Sequence, residues 1–243
     1  MKISISSLLL MLLAILPLGV TAADAAFTEK PGVIYWSSDT GKVLRARIKP
    51  DADYWQLIPW FTNQINQTYC GVASAVTVLN AMPIKKPVDP IYAPHAFFTQ
   101  SNFFTPEVVK VIGPQTVRMM GMTRAEMVET LTQLGVKAKS VSGGEVDDAA
   151  LRKLVQQAMG DDGQYVMVNF LRSALGQPGG GHWSVLAAYD DKSDRVLILD
   201  VSKYMYEPEW VTIRTLRKAI DTMDFTSLKK RGLVFVSQMQ SAK

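Results

Sequence analysis

The stretch "NQINQTYCGVASAVTVLNAM", residues 63–82, joins an amide-rich run to a run of small apolar residues, and it holds the only cysteine among 243 residues. From Cys70 onward, Val72, Ala73, Val76, Leu79 and Ala81/Met82 recur at helical spacing, and Pro83 follows. The pattern predicts a buried helix that ends before the proline. A cysteine at the start of such a helix meets unpaired backbone N–H groups and the positive end of the helix dipole. Both favour an anion and draw the thiol toward its reactive range. Thr68 reads as the N-cap. Taken alone, the stretch leaves two readings of Cys70 open, a small buried hydrophobe and a nucleophile.

A second stretch narrows the choice. The chain has two histidines, His95 and His182. His95 lies among Pro83, Pro87, Pro90 and Pro94, an extended loop, and reads as structural or surface. His182 follows Gly179-Gly180-Gly181 and opens an apolar strand in "GQPGGGHWSVLAAY". Three glycines let another chain or a ligand come close to the backbone and leave the imidazole unobstructed. Asp190 to Asp194 is a strong turn, so the strands on either side pair as a hairpin. With the turn centred near residue 191 or 192, paired residue numbers sum to about 382–384, which sets Asp200 opposite His182 or one diagonal step away. Asp200 ends the apolar run "RVLILD", where an unpaired carboxylate is costly to bury.

The order Cys70, His182, Asp200 suits nucleophilic catalysis. Asp200 orients His182, and His182 holds Cys70 as a thiolate and then protonates the leaving amine. Gln64 lies six residues before Cys70. Its side-chain amide and the Cys70 backbone N–H are candidate oxyanion donors, each worth about 3 kcal/mol of barrier.

Bulk properties agree with a globular protein, of a length for one large domain or two small ones: 48% of residues are hydrophobic and 20% charged. The net charge is +4, and no Lys/Arg cluster interleaves with aromatics, so a nucleic-acid partner is not indicated. Met1-Lys2, the apolar run Leu8–Val20 and the small residues Thr21 to Ala26 match a secretory signal peptide, with cleavage after Ala22 or Ala25. The run is short of the ~20 residues of a spanning helix, so no stable membrane anchor is expected after cleavage. Residues 1–25 are thus read as a signal peptide, 26–243 as the catalytic domain, and the expected location is secreted or periplasmic. A lone cysteine makes no internal disulfide, and a free thiol in an oxidising compartment needs burial or a use.

Residues 32–48 read as short strands or an extended arm. Thr105-Pro106-Glu107 starts a helix. Thr123-Arg124-Ala125-Glu126 is a capping box whose helix ends at Gly135. Asp147 or Asp148 starts a helix ending at Gly160. Strands follow at 165–170, 183–189, 195–201 and 233–236, with a helix near 212–222. The expectation is an α+β fold, a helical lobe followed by an antiparallel sheet lobe.

At this level of detail the chain resembles the papain-like cysteine peptidase superfamily. More closely, "NQINQTYCGVASAVTVLNAM", "FTQSNFF", "GGGHWSVLAAYDDKSDRVLILDVSKYMYEPEWV" and "RGLVFVS" look like phytochelatin synthase in its short bacterial form, over about Gly32 to Gln238. The resemblance implies that glutathione's γ-Glu-Cys unit is transferred to Cys70 with release of glycine, and then to water or to a second glutathione. It implies Cys70 as nucleophile, His182 as base and acid, Asp200 as orienting acid and Gln64 as oxyanion donor. It implies that Asn169, Arg172, Gly181, Asp224 and Arg231 contact the γ-glutamyl end, with Arg231 suited to its carboxylate and Asp224 to its α-ammonium. It is compatible with a homodimer. Plant members carry a cysteine-rich extension, whereas this chain has one cysteine and no His/Cys cluster. No metal cofactor is therefore expected in the protein. A heavy-metal ion such as cadmium would enter as a metal–glutathione thiolate substrate, and hydrolysis is the expected main activity. The alternatives are a general papain-like envelope peptidase and a non-catalytic module that binds thiols or peptides.

Overall fold

The computed structural model describes residue 30 and residues 32–159 and 163–239. The Leu8–Val20 run, the expected cleavage positions and Gly160 lie outside the described residues. Among the described residues, no helix is long and apolar enough to cross a membrane.

Among the described residues, seven strands form one antiparallel sheet: β1 (Val33–Tyr35), β2 (Val136–Ser142), β3 (Gln164–Leu171), β4 (Gly181–Asp190), β5 (Arg195–Leu199), β6 (Glu209–Thr212) and β9 (Gly232–Gln238). Their order is β1-β6-β5-β4-β3-β9-β2. Two short strands, β7 (Met223–Asp224) and β8 (Lys229–Lys230), form a separate ribbon. The architecture is α+β, but the lobes are not strictly sequential. β1 precedes the helices and joins the sheet edge through Val33↔Val211.

Helices cover both faces of the sheet, and strand alternation assigns each residue to a face. On β3 and β4, Met167, Trp183 and Val185 pack into one core with Val72, Ala73, Val76 and Leu79 of the Cys70–Ala81 helix. Val166, Val168, Phe170 and Leu186 face the other way, toward Leu151 and Val155 of the Asp148–Ala158 helix and Leu216 of the Ile213–Ile220 helix.

Local chemistry explains most boundaries. The Thr123/Glu126 capping box is present at the Arg124–Gln133 helix, and Gly135 follows it at φ +82°. Thr105 accepts from Val108 N with Pro106 in the first turn, and Asp147 accepts from Ala150 N. The 32–48 segment departs from the extended reading. Only Val33–Tyr35 is a strand, and Asp39–Arg45 is a helix whose cap is Ser38. Asp39 at its start and Lys42 and Arg45 at its end suit the helix dipole, which outweighs the strand-like look of "VLRARI".

Candidate active site

The Cys70–Ala81 helix is buried over nearly its whole length, from Cys70 to Asn80. Its small residues let it lie flat on β4. At Gly71 an added Cβ would come within 2.9 Å of Met127 Cε, the end of a flexible side chain, and 3.3 Å of Trp183 Cδ1, so the first turn is closely packed. The turn is not capped by Thr68. The N-cap position is Tyr69, with no side-chain cap, and the single Thr68 hydroxyl proton is shared between Asn66 Oδ1 and the Arg118 carbonyl. The amide-rich run is spent on holding the entry loop. Asn66 Oδ1 also accepts from Thr68 N, Gln64 N donates to the Val201 carbonyl, and Gln100 brackets the loop through Ile65 N and the Asn63 carbonyl.

Cys70 and His182 meet across the start of β4. The thiol is buried and hydrogen-bonded to the His182 side chain and to the backbone N–H groups of Trp183 and Gly71. Burial alone would push its pKa up. The hydrogen bond and charge of His182, with the two N–H groups, outweigh burial and bring it below the ordinary thiol value. His182 moves the opposite way. Burial lowers its pKa, but the neighbouring Asp200 carboxylate raises it further than burial lowers it. The two shifts favour one state, a thiolate beside an imidazolium.

His182 Nε2 lies 3.0 Å from Asp200 Oδ1. Because Nε2 is spent there, Nδ1 is the ring nitrogen left for the thiol. The contact depends on a β-bulge. At the turn, Asp190 pairs with Arg195 and Ala188 with Leu197. Continued flat, that register would set Asp200 opposite Val185, on the face away from His182. The register shifts between Leu186 and Ala188, so that Val185 pairs with Leu199. Ala187 and Ala188 both turn to the helix-side core. Asp200 then shares a face with Ser184 and His182, one diagonal step from the histidine.

Asp200 is fully buried. Burial raises its pKa, but the charges of His182 and Arg172 overcome this and hold it far below the usual carboxylate range. Arg172 Nη2 donates to Oδ1 at 2.9 Å, Nη1 lies 2.8 Å from Oδ2, and Ser202 N donates to Oδ1 at 2.8 Å. Arg172, a substrate contact by the resemblance, is held here by the protein itself. Its guanidinium is turned inward, sits 4.3 Å over the Tyr206 ring and is committed to Asp200 and Gln177. Tyr206, Gln177 and Ser202 escaped the sequence reading. Ser202 alone carried a signal, since it lies two residues after Asp200.

Gln64 joins the same network. Ser202 Oγ donates to its Oε1 at 2.9 Å, and its Nε2 donates to the Asn66 carbonyl and to Tyr204 Oη. Both amide protons are thus engaged, so Tyr204 must move for Gln64 to reach an oxyanion.

The remaining expected residues cluster beside His182. Arg231 Nη1 donates to Asn169 Oδ1 at 2.9 Å, and Nη2 lies 3.7 Å from Asp224 Oδ1. Asn169 Nδ2 donates to the His182 carbonyl at 3.5 Å. A Cβ on Gly181 would fall 2.2 Å from Arg231 Nη1, so the missing side chain is what admits the guanidinium there. Burial lowers the Arg231 pKa, while Asp224 and the Cys70 sulfur, within electrostatic reach, oppose that shift. His95 is exposed in its loop. Among the described residues, no group of three or more His, Cys, Asp or Glu side chains could hold a metal ion.

The family model described as phytochelatin synthase matches residues 28–233. Glutathione gamma-glutamylcysteinyltransferase 1 of Arabidopsis thaliana is 30% identical over 86% of this chain and 42% of its own length. The enzyme of the same name from Schizosaccharomyces pombe is 22% identical over 77% of this chain and 44% of its own. The chain therefore spans less than half the length of these relatives. Among solved structures, the peptidase domain of Streptococcus ComA aligns at a TM-score of 0.40 and 15% identity, covering 73% of this chain and 97% of that domain.

Proposed function

From a chain that belongs to the phytochelatin synthase family, we propose a cysteine-dependent acyl transferase that acts on glutathione. The observation that carries the proposal is the buried Cys70–His182–Asp200 set, in which the thiol pKa is lowered and the imidazole pKa raised. In this reading the Cys70 thiolate attacks the carbonyl carbon of the Cys–Gly peptide bond. The tetrahedral oxyanion is met by the Cys70 backbone N–H and by Gln64 once Tyr204 swings aside. The C–N bond breaks, His182 gives its proton to the departing glycine nitrogen, and γ-Glu-Cys remains as a thioester on Cys70. His182 then takes a proton from the acceptor. With water the product is γ-Glu-Cys. With the amine of a second glutathione it is a chain longer by one γ-Glu-Cys unit.

Arg231 and Asp224 support recognition of the γ-glutamyl end. They present a cation for its carboxylate and an anion for its ammonium, beside His182. A free carboxylate and a free ammonium on one carbon are what set glutathione apart from an ordinary peptide. A heavy-metal ion takes part as a metal–glutathione thiolate substrate. Export through the Leu8–Val20 segment remains part of the proposal. The test is incubation with glutathione, with and without cadmium, reading products by mass. γ-Glu-Cys with glycine is expected, and Cys70→Ala is expected to abolish both. Full glycine release by Cys70→Ala would overturn the reading.

A further inference from the structure

The face of the sheet behind His182 holds a second buried carboxyl that the reaction above does not use. Glu209, on β6, is fully buried. It stands across the ladder from Ile198 on one side and from Tyr35 on the other. Its Oε2 accepts from Gln177 Nε2, and Gln177 Oε1 accepts from Arg172 Nη1 at 2.9 Å. Arg172 in turn holds Asp200, and Asp200 holds His182. An unbroken buried chain thus runs from Glu209 to the imidazole. We infer that Glu209, acting through Gln177 and Arg172, is a positioning residue that fixes Asp200 against His182, and that it does so as a neutral, protonated acid.

The charge balance requires the proton. The thiolate of Cys70, the imidazolium of His182, the carboxylate of Asp200 and the guanidinium of Arg172 already sum to zero. A fifth charge in the same interior has no counterion, and an unpaired buried charge is expensive. Every group that faces Glu209 fits this. Asp200, just past β5, is anionic, and Arg172 and His182 are committed to it. Gln177 is neutral. Tyr35 on β1, with a pKa pushed up to about 12 first by burial, stays neutral, as does Tyr206. Among the described residues, Glu209 Oε1 has no hydrogen-bond partner, which a carboxylic acid tolerates better than a carboxylate does. Burial, reinforced by the Asp200 charge, raises the Glu209 pKa to about 8.

Gln177 is the part that makes the chain directional. Its amide can donate to one neighbour and accept from the other. With Nε2 held by the acid, Oε1 must point at Arg172. That hydrogen bond orients the planar guanidinium so that its remaining edge meets Asp200. When Glu209 ionises, a second carboxylate competes for Arg172, and the hold on Asp200 slackens.

This inference rests on the acyl-transfer reading, but it fails separately. Cys70→Ala tests the reaction, whereas the inference is read from the alkaline side of an active enzyme. Arg172→Lys, which keeps the charge and loses the fork, is expected to lower kcat for glycine release about tenfold or more, with KM within about twofold. In wild type, kcat falls as Glu209 ionises; in Glu209→Gln the fall moves to higher pH by about one unit or more. The same alkaline limb in both enzymes overturns the inference. Should Glu209→Gln not fold, wild-type infrared spectra decide. A protonated-carboxyl carbonyl band that disappears as pH rises through about 8 supports the inference, and its absence at neutral pH overturns it.

Discussion

The β4–β5 hairpin carries charged clusters at both of its ends, and their distances are nearly the same. At the turn, Arg47 pairs with Asp190, Lys49 with Asp191 and Arg152 with Asp194, each at 2.7 Å. At the other end Arg172 pairs with Asp200 at 2.8 Å. The surroundings differ. The Arg152 and Asp194 side chains are 37% and 39% exposed, whereas Arg172 and Asp200 are 5% and 0% exposed. Water can replace a lost partner of Arg152–Asp194 or Lys49–Asp191 and cannot at the site, whereas Asp190, only 6% exposed, is the buried exception at the turn. Solvation, not separation, therefore ranks these pairs. The turn end sets where the hairpin folds back, and the site end sets the protonation of Cys70 and His182.

The largest effect that separates the two ends is expected from Asp200→Ala. It leaves the buried Arg172 cation uncompensated, at a cost of about 3–5 kcal/mol of stability. It also removes the orienting partner of His182, so kcat should fall by about a hundredfold or more. Urea unfolding and glycine release measure the two losses. The wild-type contribution has a definite pH window. The folded pKa of Asp200 lies below its unfolded value near ~3.9, so its stabilisation is fully present above that value and is lost as pH falls through the folded one. A flat acid limb between wild type and Asp200→Ala would show that the site end is no different from the turn.

The next effect is on the thiol itself. With His182 in place, Cys70 should be alkylated by iodoacetamide at pH values well below the ordinary thiol range. Two influences oppose each other there, burial raising the pKa and His182 lowering it. In His182→Ala only the N–H groups of Trp183 and Gly71 remain against burial, so the alkylation profile should move to higher pH, to the ordinary range or above it. An unmoved profile would mean that the helix start, not the histidine, activates the thiol.

Part of this arrangement was legible in the sequence. The helix after Cys70 showed itself through small apolar residues bounded by Pro83, because helix burial leaves a periodic trace. The pairing of His182 with Asp200 followed from hairpin parity, although the turn lies slightly later than its composition suggests. The bulge at Ala187 restores the parity, and nothing in "VLAAYD" marks it beforehand. What stayed hidden depends on distant partners. Thr68 looks like a cap, yet its hydroxyl is claimed by Asn66 and by the Arg118 carbonyl, 50 residues away. Nothing near Arg172 in the sequence announces that Asp200, Gln177 and Tyr206 surround it. Lys137 and Lys139 hide β2, an edge strand with an exposed face, because charge on an edge reads as loop.

A moderate effect should come from Gly181→Ala, at the residue where the hairpin meets Arg231, Asn169 and Asp224. The new methyl falls on the Arg231 guanidinium, the far end of a flexible side chain. Arg231 can move aside, so folding survives, but its alignment with Asp224 and Asn169 does not. One charge-assisted hydrogen bond is worth about 1.5–3 kcal/mol. KM for glutathione should then rise about tenfold or more, while Cys70 alkylation stays close to wild type. A normal KM would remove Arg231 from substrate recognition.

The smallest effect belongs to Asp194→Asn at the turn. Asp194 accepts from Arg152 Nε and Nη2 and from Tyr189 Oη, a richer set of contacts than most surface ion pairs have. Solvent nonetheless reaches both charged partners, and an Asn still accepts from Tyr189. Asp194 also sits at φ +52°, a left-handed conformation that Asn adopts readily and Ala does not. The urea midpoint of Asp194→Asn should therefore shift by only a small fraction of the Asp200→Ala shift, with glycine release unchanged, and Asp194→Ala should shift it further. That ordering separates backbone from charge at the turn. If Asp194→Asn and Asp194→Ala were equally destabilising, the ion pair would carry the turn after all, and the contrast between the two hairpin ends would rest on position instead of solvation.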